Sequence, residues 1–349
     1  MKKRSDGRYM KYVPVGGKRI AFYSSIGLTE KEAEDEILQK ILEYNIKDFH
    51  KKHNFGCIAD QLLRKKEKQV SYSTWDCYET AAKKLEVFYT RDIESITPIE
   101  LQNLLDSLAD RGYSKSAISK VKIVYGLIVK YAIFNGVDVR NYSDVLKIPK
   151  NASSGRRHSV PDAVVQLINE HAMDTEFGMW AFIMCYTGLR RGELAALRRS
   201  NIDLERKLIF VNNSVEFIGN KPVVKDMPKS ISGIRQVPLL DVLYDKIAEY
   251  VKGMKPTDFI FGGEKPLTET MIKKRWKKYC NAIGVDMNQH QLRHTYAKML
   301  YRAGVDAKTA QGLLGHADIT TTMNIYTDFS KDVTDKAVIS INDFLRKTS

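Results

Sequence analysis

The chain is poor in the residues that build stapled or metal-held folds. It has 4 cysteines in 349 residues, and Cys57, Cys77, Cys185 and Cys280 stand far apart, with no CxxC and no Cys/His pair at zinc-ligand spacing. They read as reduced thiols of a cytosolic protein, and no metal or other cofactor is expected. No apolar run approaches the ~18–20 residues that span a bilayer. The opening MKKRSDGRYMKY is basic but has no apolar stretch of a signal peptide behind it. A phosphate-cradling GxxxxGK[ST] loop is absent, as are internal repeats and low-complexity segments. The expectation is a soluble intracellular protein with no membrane partner.

What is present is a core-forming chain with a basic surplus. Hydrophobic residues make up 43%, and the length allows two or three domains of roughly 100–200 residues each. Lys and Arg outnumber Asp and Glu by 56 to 42, a net charge of +14. That balance points to a polyanion, nucleic acid first, as partner.

Read in order, the chain opens on two alternating segments, Arg8–Val15 and Lys18–Ser24, around Gly16-Gly17, a pair suited to a tight hairpin. Arg8, Lys11, Lys18 and Arg19 mix there with tyrosines, as a DNA-groove surface or as a solvated basic face. Thr29 and Glu32 form a capping-box pattern for a helix to about Tyr44. The polar stretch Asp48–Asn54 reads as a linker. Helical patterns then fill Phe55 to about Lys147: near Cys57–Lys66, Tyr72–Tyr89, after Thr97-Pro98, and from Ser114 with Ile118, Val121, Ile123, Val124, Leu127 and Ile128 inward. Lys115, Lys120 and Lys122 project elsewhere, towards phosphates or simply to solvent. Residues 148–158, with Arg156 and Arg157, form a second basic linker. Beyond Ser159, helices alternate with one β region, in which Pro222–Val224 and Ile234–Leu239 are expected to pair with Leu208–Val215 as a three-stranded sheet. The fold class is mainly α with small β regions (α+β).

The chemistry concentrates in HQLRHTYAKMLYRAGVDAKTAQGLLGHADITTTMNIY, residues 290–326. His290 and Arg293 lie at i and i+3 of one helix, so they share a face. His316 follows Gly315, and Tyr326 follows ten residues later. Upstream, TGLRRGEL presents Arg190 after a sharp turn, with Glu193 one helical turn on. A guanidinium matches two phosphate oxygens with a planar fork and stays charged; a surface salt bridge or a helix cap would use the same arginine. A phenol, with an ordinary pKa of ~10, needs cationic neighbours to act as a nucleophile. Within PKSISGIRQVPL, Lys229 can protonate a leaving oxygen, with Lys225 as the alternative.

These boxes resemble the tyrosine recombinases, specifically the integrases of temperate phages and integrative conjugative elements or conjugative transposons. TGLRRGEL, HQLRHTYA and LLGHADITTTMNIY look like the family's successive boxes. The resemblance therefore implies a catalytic set of Arg190, Lys229, His290, Arg293, His316 and the nucleophile Tyr326, supported by Glu193. The usual PKTxxSxR form of the lysine segment has Ser230 here in place of Thr. The family organisation implies an arm-type DNA-binding domain over 1–50, a helical SAM-like core-binding domain over 51–150, a linker over 151–158 and a catalytic domain over 159–349. The stripe Val333, Ala337, Val338, Ile341, Phe344 and Leu345 fits ordinary intramolecular core or, as the resemblance implies, a helix that docks on a neighbouring protomer. The implied activity is DNA integration and excision of a mobile element through a 3′-phosphotyrosyl intermediate and a Holliday junction. Its partners are double-stranded DNA (attachment core and arm sites), three further copies in a homotetramer, an excisionase and a host DNA-bending protein, in a bacterial cytoplasm and nucleoid. A type IB topoisomerase and a non-cleaving DNA-binding regulator are the alternatives.

Overall fold

The computed structural model describes residues 1–15, 18–154, 159–225, 234–329 and 346, with 14, 15, 18, 45–51, 328 and 329 described in backbone only. It is mainly helical with small antiparallel sheets, and divides into two compact units, Met1–Gly155 and Arg156–Ser349. Among the described residues, no helix is long and apolar enough to cross a membrane.

The first unit begins with an antiparallel sheet of β1 (Lys2–Lys3), β2 (Tyr9–Val15) and β3 (Lys18–Tyr23). Register pairs Lys11 with Phe22 and Tyr12 with Ala21. The side carrying Phe22 is covered by α1 (Glu30–His53), where Tyr44 meets the Phe22 ring edge-on at 5.6 Å. Lys11 shares that covered side and is half-buried, whereas Arg8, Tyr12 and Arg19 alternate to the other side. Arg8 is held by Asp6 at 2.8 Å and lies over the Tyr23 ring. The Thr29–Glu32 capping pair forms as the pattern predicts. The expected linker at Asp48–Asn54 is instead the end of α1, because KDFHKKH holds neither Gly nor Pro to stop a helix. The break falls at Asn54, whose side chain accepts from the Cys57 N–H and caps α2 (Phe55–Glu67).

Next come α3 (Tyr72–Ala82), tightened into a 3₁₀ turn over Lys83–Phe88 where one longer helix was expected, α4 (Pro98–Asp110) and α5 (Lys115–Phe134). Phe55 anchors their core, edge-on to Phe88 and stacked on Tyr125 at 6.5 Å. Ile123 falls off the buried stripe of Ile118, Val121, Val124 and Ile128 and is exposed. Lys122 also departs from expectation: its ammonium donates to the Leu146 carbonyl at 2.7 Å, tying α5 to the following loop, whereas Lys115 and Lys120 are exposed.

The second unit packs around α7 (Glu176–Thr187), preceded by α6 (Asp162–Glu170) and followed by α8 (Arg191–Ala196). Nearly every α7 residue is buried, and Trp180 stacks on Phe177 at 5.1 Å and meets Phe261 edge-on. Strands β4 (Ile202–Asp203), β5 (Leu208–Val211) and β8 (Arg235–Pro238) form one sheet, while β6 (Ser214–Ile218) and β7 (Lys221–Lys225) form a separate hairpin. The single three-stranded sheet expected from sequence is therefore two. Leu208–Val215 splits at Asn212-Asn213, residues that favour turns, and Pro222–Val224 pairs with β6, not β5. Helices α9 (Asp241–Tyr250), α10 (Glu269–Ala282), α11 (Gln289–Arg302), α12 (Ala307–Leu314) and α13 (Ile319–Phe329) complete the unit. Lys229, Arg156, Arg157, the Lys18 side chain and the stripe from Val333 to Leu345 lie outside the described residues.

Candidate active site

Three segments distant in sequence meet at the C-terminus of α12. The first is the turn after α7. Gly188 ends that helix at φ +63°, and a Cβ there would stand 2.6 Å from the Tyr296 ring, so the turn needs glycine twice over. Arg190 then becomes the residue that opens α8. Glu193 accepts from the Arg190 backbone N–H at 2.8 Å and from its Nη1 at 2.7 Å, while Arg190 Nη2 donates to the Gly315 carbonyl at 2.7 Å.

The second segment is α11. It places Arg293 almost wholly buried, with Nη1 donating to Gly188 O and Nη2 to Leu314 O, both at 2.6 Å. Burial, with Arg190 beside it, pulls the guanidinium down to about 9, which leaves it charged at neutral pH. His290 lies one turn earlier, its ring edge-on to His294 at 4.9 Å.

The third is the α12–α13 turn. Gly315 takes φ +67°, and His316 follows, buried, with Nδ1 2.9 Å from the Thr322 hydroxyl. Burial, and then Arg293, Arg190 and Arg235, hold the imidazole at about 3, so it is neutral at pH 7.

Arg190, His290, Arg293, His294, His316 and Thr321 surround one cavity of about 170 Å³ floored by Leu314 and Ile325. The residues expected to grip an oxyanion are brought together, and the cavity offers an anion two guanidinium groups and a neutral imidazole in a partly desolvated setting.

Tyr326 stands apart from that cation cluster. Its hydroxyl donates to the Val305 carbonyl at 3.1 Å, and its ring lies edge-on to Tyr301 at 4.9 Å. Burial, with Asp306 nearby, raises its pKa above the ordinary phenol value. The expected lowering by cationic neighbours is absent in this arrangement, because the hydroxyl is turned to a carbonyl. Lys225 ion-pairs with Glu216 across the β6–β7 hairpin.

Arg235 escaped the sequence reading as a member of the site. Arg235, buried on β8, donates to both Glu193 oxygens at 3.1 and 2.9 Å and through Nε to Leu313 O at 2.8 Å. Burial alone would raise the Glu193 carboxyl; hydrogen bonds and charge from Arg235, then Arg190, outweigh it and hold it at about 2. Two signals were available: the closing Arg of the PKTxxSxR form falls on Arg235, and strand alternation puts it on the same inward side as Val237.

Comparison with known proteins agrees with this geometry. A model described as the phage integrase family matches residues 157–332, and one described as phage integrase, N-terminal SAM-like domain, matches 54–109. The chain is 26% identical over 361 residues to a tyrosine recombinase XerC-like protein of Caldanaerobacter subterraneus subsp. tengcongensis, covering 93% of this chain and 92% of that one. It is 24% identical over 372 residues to the transposase from transposon Tn916 of Enterococcus faecalis, covering 94% and 90%. In fold it is similar to the Tn1549 transposon integrase in complex with a circular intermediate DNA, with TM-score 0.66, 21% identity and coverage of 78% and 95%. It is similar too to a lambda integrase dimer bound to a COC′ core site, with TM-score 0.59, 18% identity and 93% of each chain.

Proposed function

Because the chain belongs to the phage integrase family and is a tyrosine recombinase, we propose that it cuts and rejoins double-stranded DNA through a phosphotyrosine formed on Tyr326, to integrate and excise a mobile element. The observation that carries this reading is the convergence of Arg190, Arg293 and His316 on one anion-sized cavity, with Tyr326 on the helix that borders it through Ile325.

In the proposed reaction the scissile phosphate enters the cavity. Arg190 and Arg293 hold its non-bridging oxygens, already fixed by backbone carbonyls, so little reorganisation is needed as charge develops. His316 donates a third hydrogen bond. Tyr326 exchanges the Val305 carbonyl for the phosphate, its oxygen bonds to phosphorus, and the bond to the 5′ oxygen breaks. Lys229 protonates that leaving oxygen, and His290 assists by taking up the phenol proton of Tyr326. Glu193 orients Arg190. The partner strand's 5′ hydroxyl then attacks the phosphotyrosine and restores the phosphodiester, so the bond energy is conserved.

Two such exchanges on two DNA sites pass through a Holliday junction and require four copies of the chain. Residues 51–150 act as the core-binding domain, and the outward sheet face with Arg8, Tyr12 and Arg19 contacts arm-type DNA. An excisionase and a host DNA-bending protein are the accessory partners in this scheme, which places the protein at the bacterial nucleoid.

The test is a nicked suicide DNA substrate carrying the element ends, run on a denaturing gel with the native chain and Tyr326→Phe. A covalent protein–DNA band lost in the variant is expected. Absence of the band on DNA that the protein binds would defeat the cleavage reading.

A further inference from the structure

The hydroxyl of Thr322 is wholly buried, and its place in α13 makes its partner informative. A helical threonine commonly donates its hydroxyl hydrogen to the carbonyl four residues back. Thr187, Thr295 and Thr327 do so here, to Ile183, Gln291 and Met323 at 2.6, 2.9 and 2.8 Å. Thr322 instead turns its hydroxyl to Nδ1 of His316 at 2.9 Å. A buried hydroxyl keeps its hydrogen in a bond, and among the described residues the partner it meets is that ring nitrogen.

We propose that Thr322 is a positioning residue: it donates to His316 Nδ1 and thereby keeps the single imidazole proton on Nε2, the nitrogen left to face the cavity. The inference rests on the reading that His316 contacts the scissile phosphate. Only Nε2–H can serve there as a donor; a ring protonated on Nδ1 would turn a lone pair towards the phosphate oxygens and repel them. The requirement arises because the ring has one proton to place: burial and the surrounding Arg293, Arg190 and Arg235 keep it neutral at pH 7. Thr322 also stands one helical turn before Tyr326 on α13, so the same bond pins the nucleophile's helix to the turn that carries His316.

The experiment uses the full chain with ¹⁵N-labelled histidine, the His316 signals being assigned by their loss in His316→Gln. At pH 7 the native protein without DNA is expected to show an unprotonated Nδ1 and a protonated Nε2. Thr322→Val, which keeps the shape and removes the hydroxyl, is expected to lose that single tautomer, and Thr322→Ser to restore it. On the suicide substrate, Thr322→Val should slow covalent-complex formation about tenfold, the worth of one hydrogen bond aimed at the transition state, with DNA affinity unchanged. The slowing should vanish in a His316→Gln background, which a merely structural role for Thr322 would not produce. A protonated Nδ1 in the native protein would overturn the proposal, as would a Thr322→Val chain with native tautomer and native rate. A native chain with the Nε2–H tautomer but no covalent complex would support the hydrogen bond and refute the phosphate reading, so the two failures are distinct.

Discussion

Replacing Arg235 by Met tests whether the arginine pocket is held by a buried ion pair or by the backbone alone. Arg235 and Glu193 have side chains only 5% and 2% exposed, with Nη2 and Oε2 2.9 Å apart. Removing one partner of such a pair costs ~3–5 kcal/mol, because a desolvated charge is left behind. Arg190 still reaches Glu193 at 2.7 Å, so the lower end, about 3 kcal/mol, is expected. With a urea dependence of ~2 kcal/mol per molar, the midpoint should fall by roughly 1.5 M. Tryptophan fluorescence reports the relevant unit, since Trp180 and Trp276 lie in it and only Trp75 lies in the other. The double replacement Arg235→Met with Glu193→Gln should recover part of the loss, since the buried carboxylate is no longer left without Arg235. Cleavage should stay impaired, because Arg190 has lost the carboxylate that aims it. A midpoint shift below about 0.3 M for Arg235→Met would refute the reasoning, showing that solvent screens the pair.

Acid should weaken the Arg156–Ser349 unit in two windows. Glu193 has a native pKa of about 2 against 4.5 ordinarily, so its stabilisation is full above 4.5 and is lost as pH falls towards 2. His316, held near 3 against 6.5, contributes stability present above 6.5 and lost as pH falls towards 3, where the unfolded chain takes up the proton first. Urea midpoints from pH 8 to 3 should therefore decline from about 6.5 downward, and a flat profile to pH 4 would contradict the His316 environment. Gly315→Ala should cost about 1–2 kcal/mol from the left-handed backbone, and should disturb Arg235, whose Nη1 would lie 2.9 Å from the new carbon; unchanged melting would refute this. Truncation after Asp328 should weaken four-protomer assembly on DNA, read by sedimentation, more than binding to a single site.

Much of this site was legible because its residues report through local rules. Gly188 and Gly315 mark helix ends, and the i, i+3 spacing of His290 and Arg293 put both on the cavity. Boundaries were legible where local chemistry writes them, as at the Thr29–Glu32 capping pair and at Pro98 in a first turn, and lost where nothing does: α1 ran on through a merely polar stretch. Arg235 and Thr322 were missed for a different reason. Each acts through a partner far away in the chain or across a turn, 42 residues for Arg235 and 6 for Thr322. A buried arginine on a strand looks, in sequence, like any charged residue at a strand start. The position of the Tyr326 hydroxyl was equally invisible, since one carbonyl at Val305 decides it.

The end of α12 explains why boxes so far apart form one site. The last carbonyls of a helix have no partner within it and carry the negative end of its dipole. Here Leu313, Leu314 and Gly315 each accept from a different arginine, Arg235, Arg293 and Arg190 in turn. Three guanidinium groups that would repel one another are therefore spaced by consecutive backbone acceptors, with Glu193 as the one carboxylate among the described residues that bonds two of them. Fixed in that way by the chain itself, the cations need not be gathered by an incoming anion. The Gly315-His316 turn then supplies both the third carbonyl and the imidazole, so a shift in α12 would move Arg190, Arg293 and His316 at once. The short α12, eight residues with little chemistry of its own, is on this view the template against which the other segments are aligned.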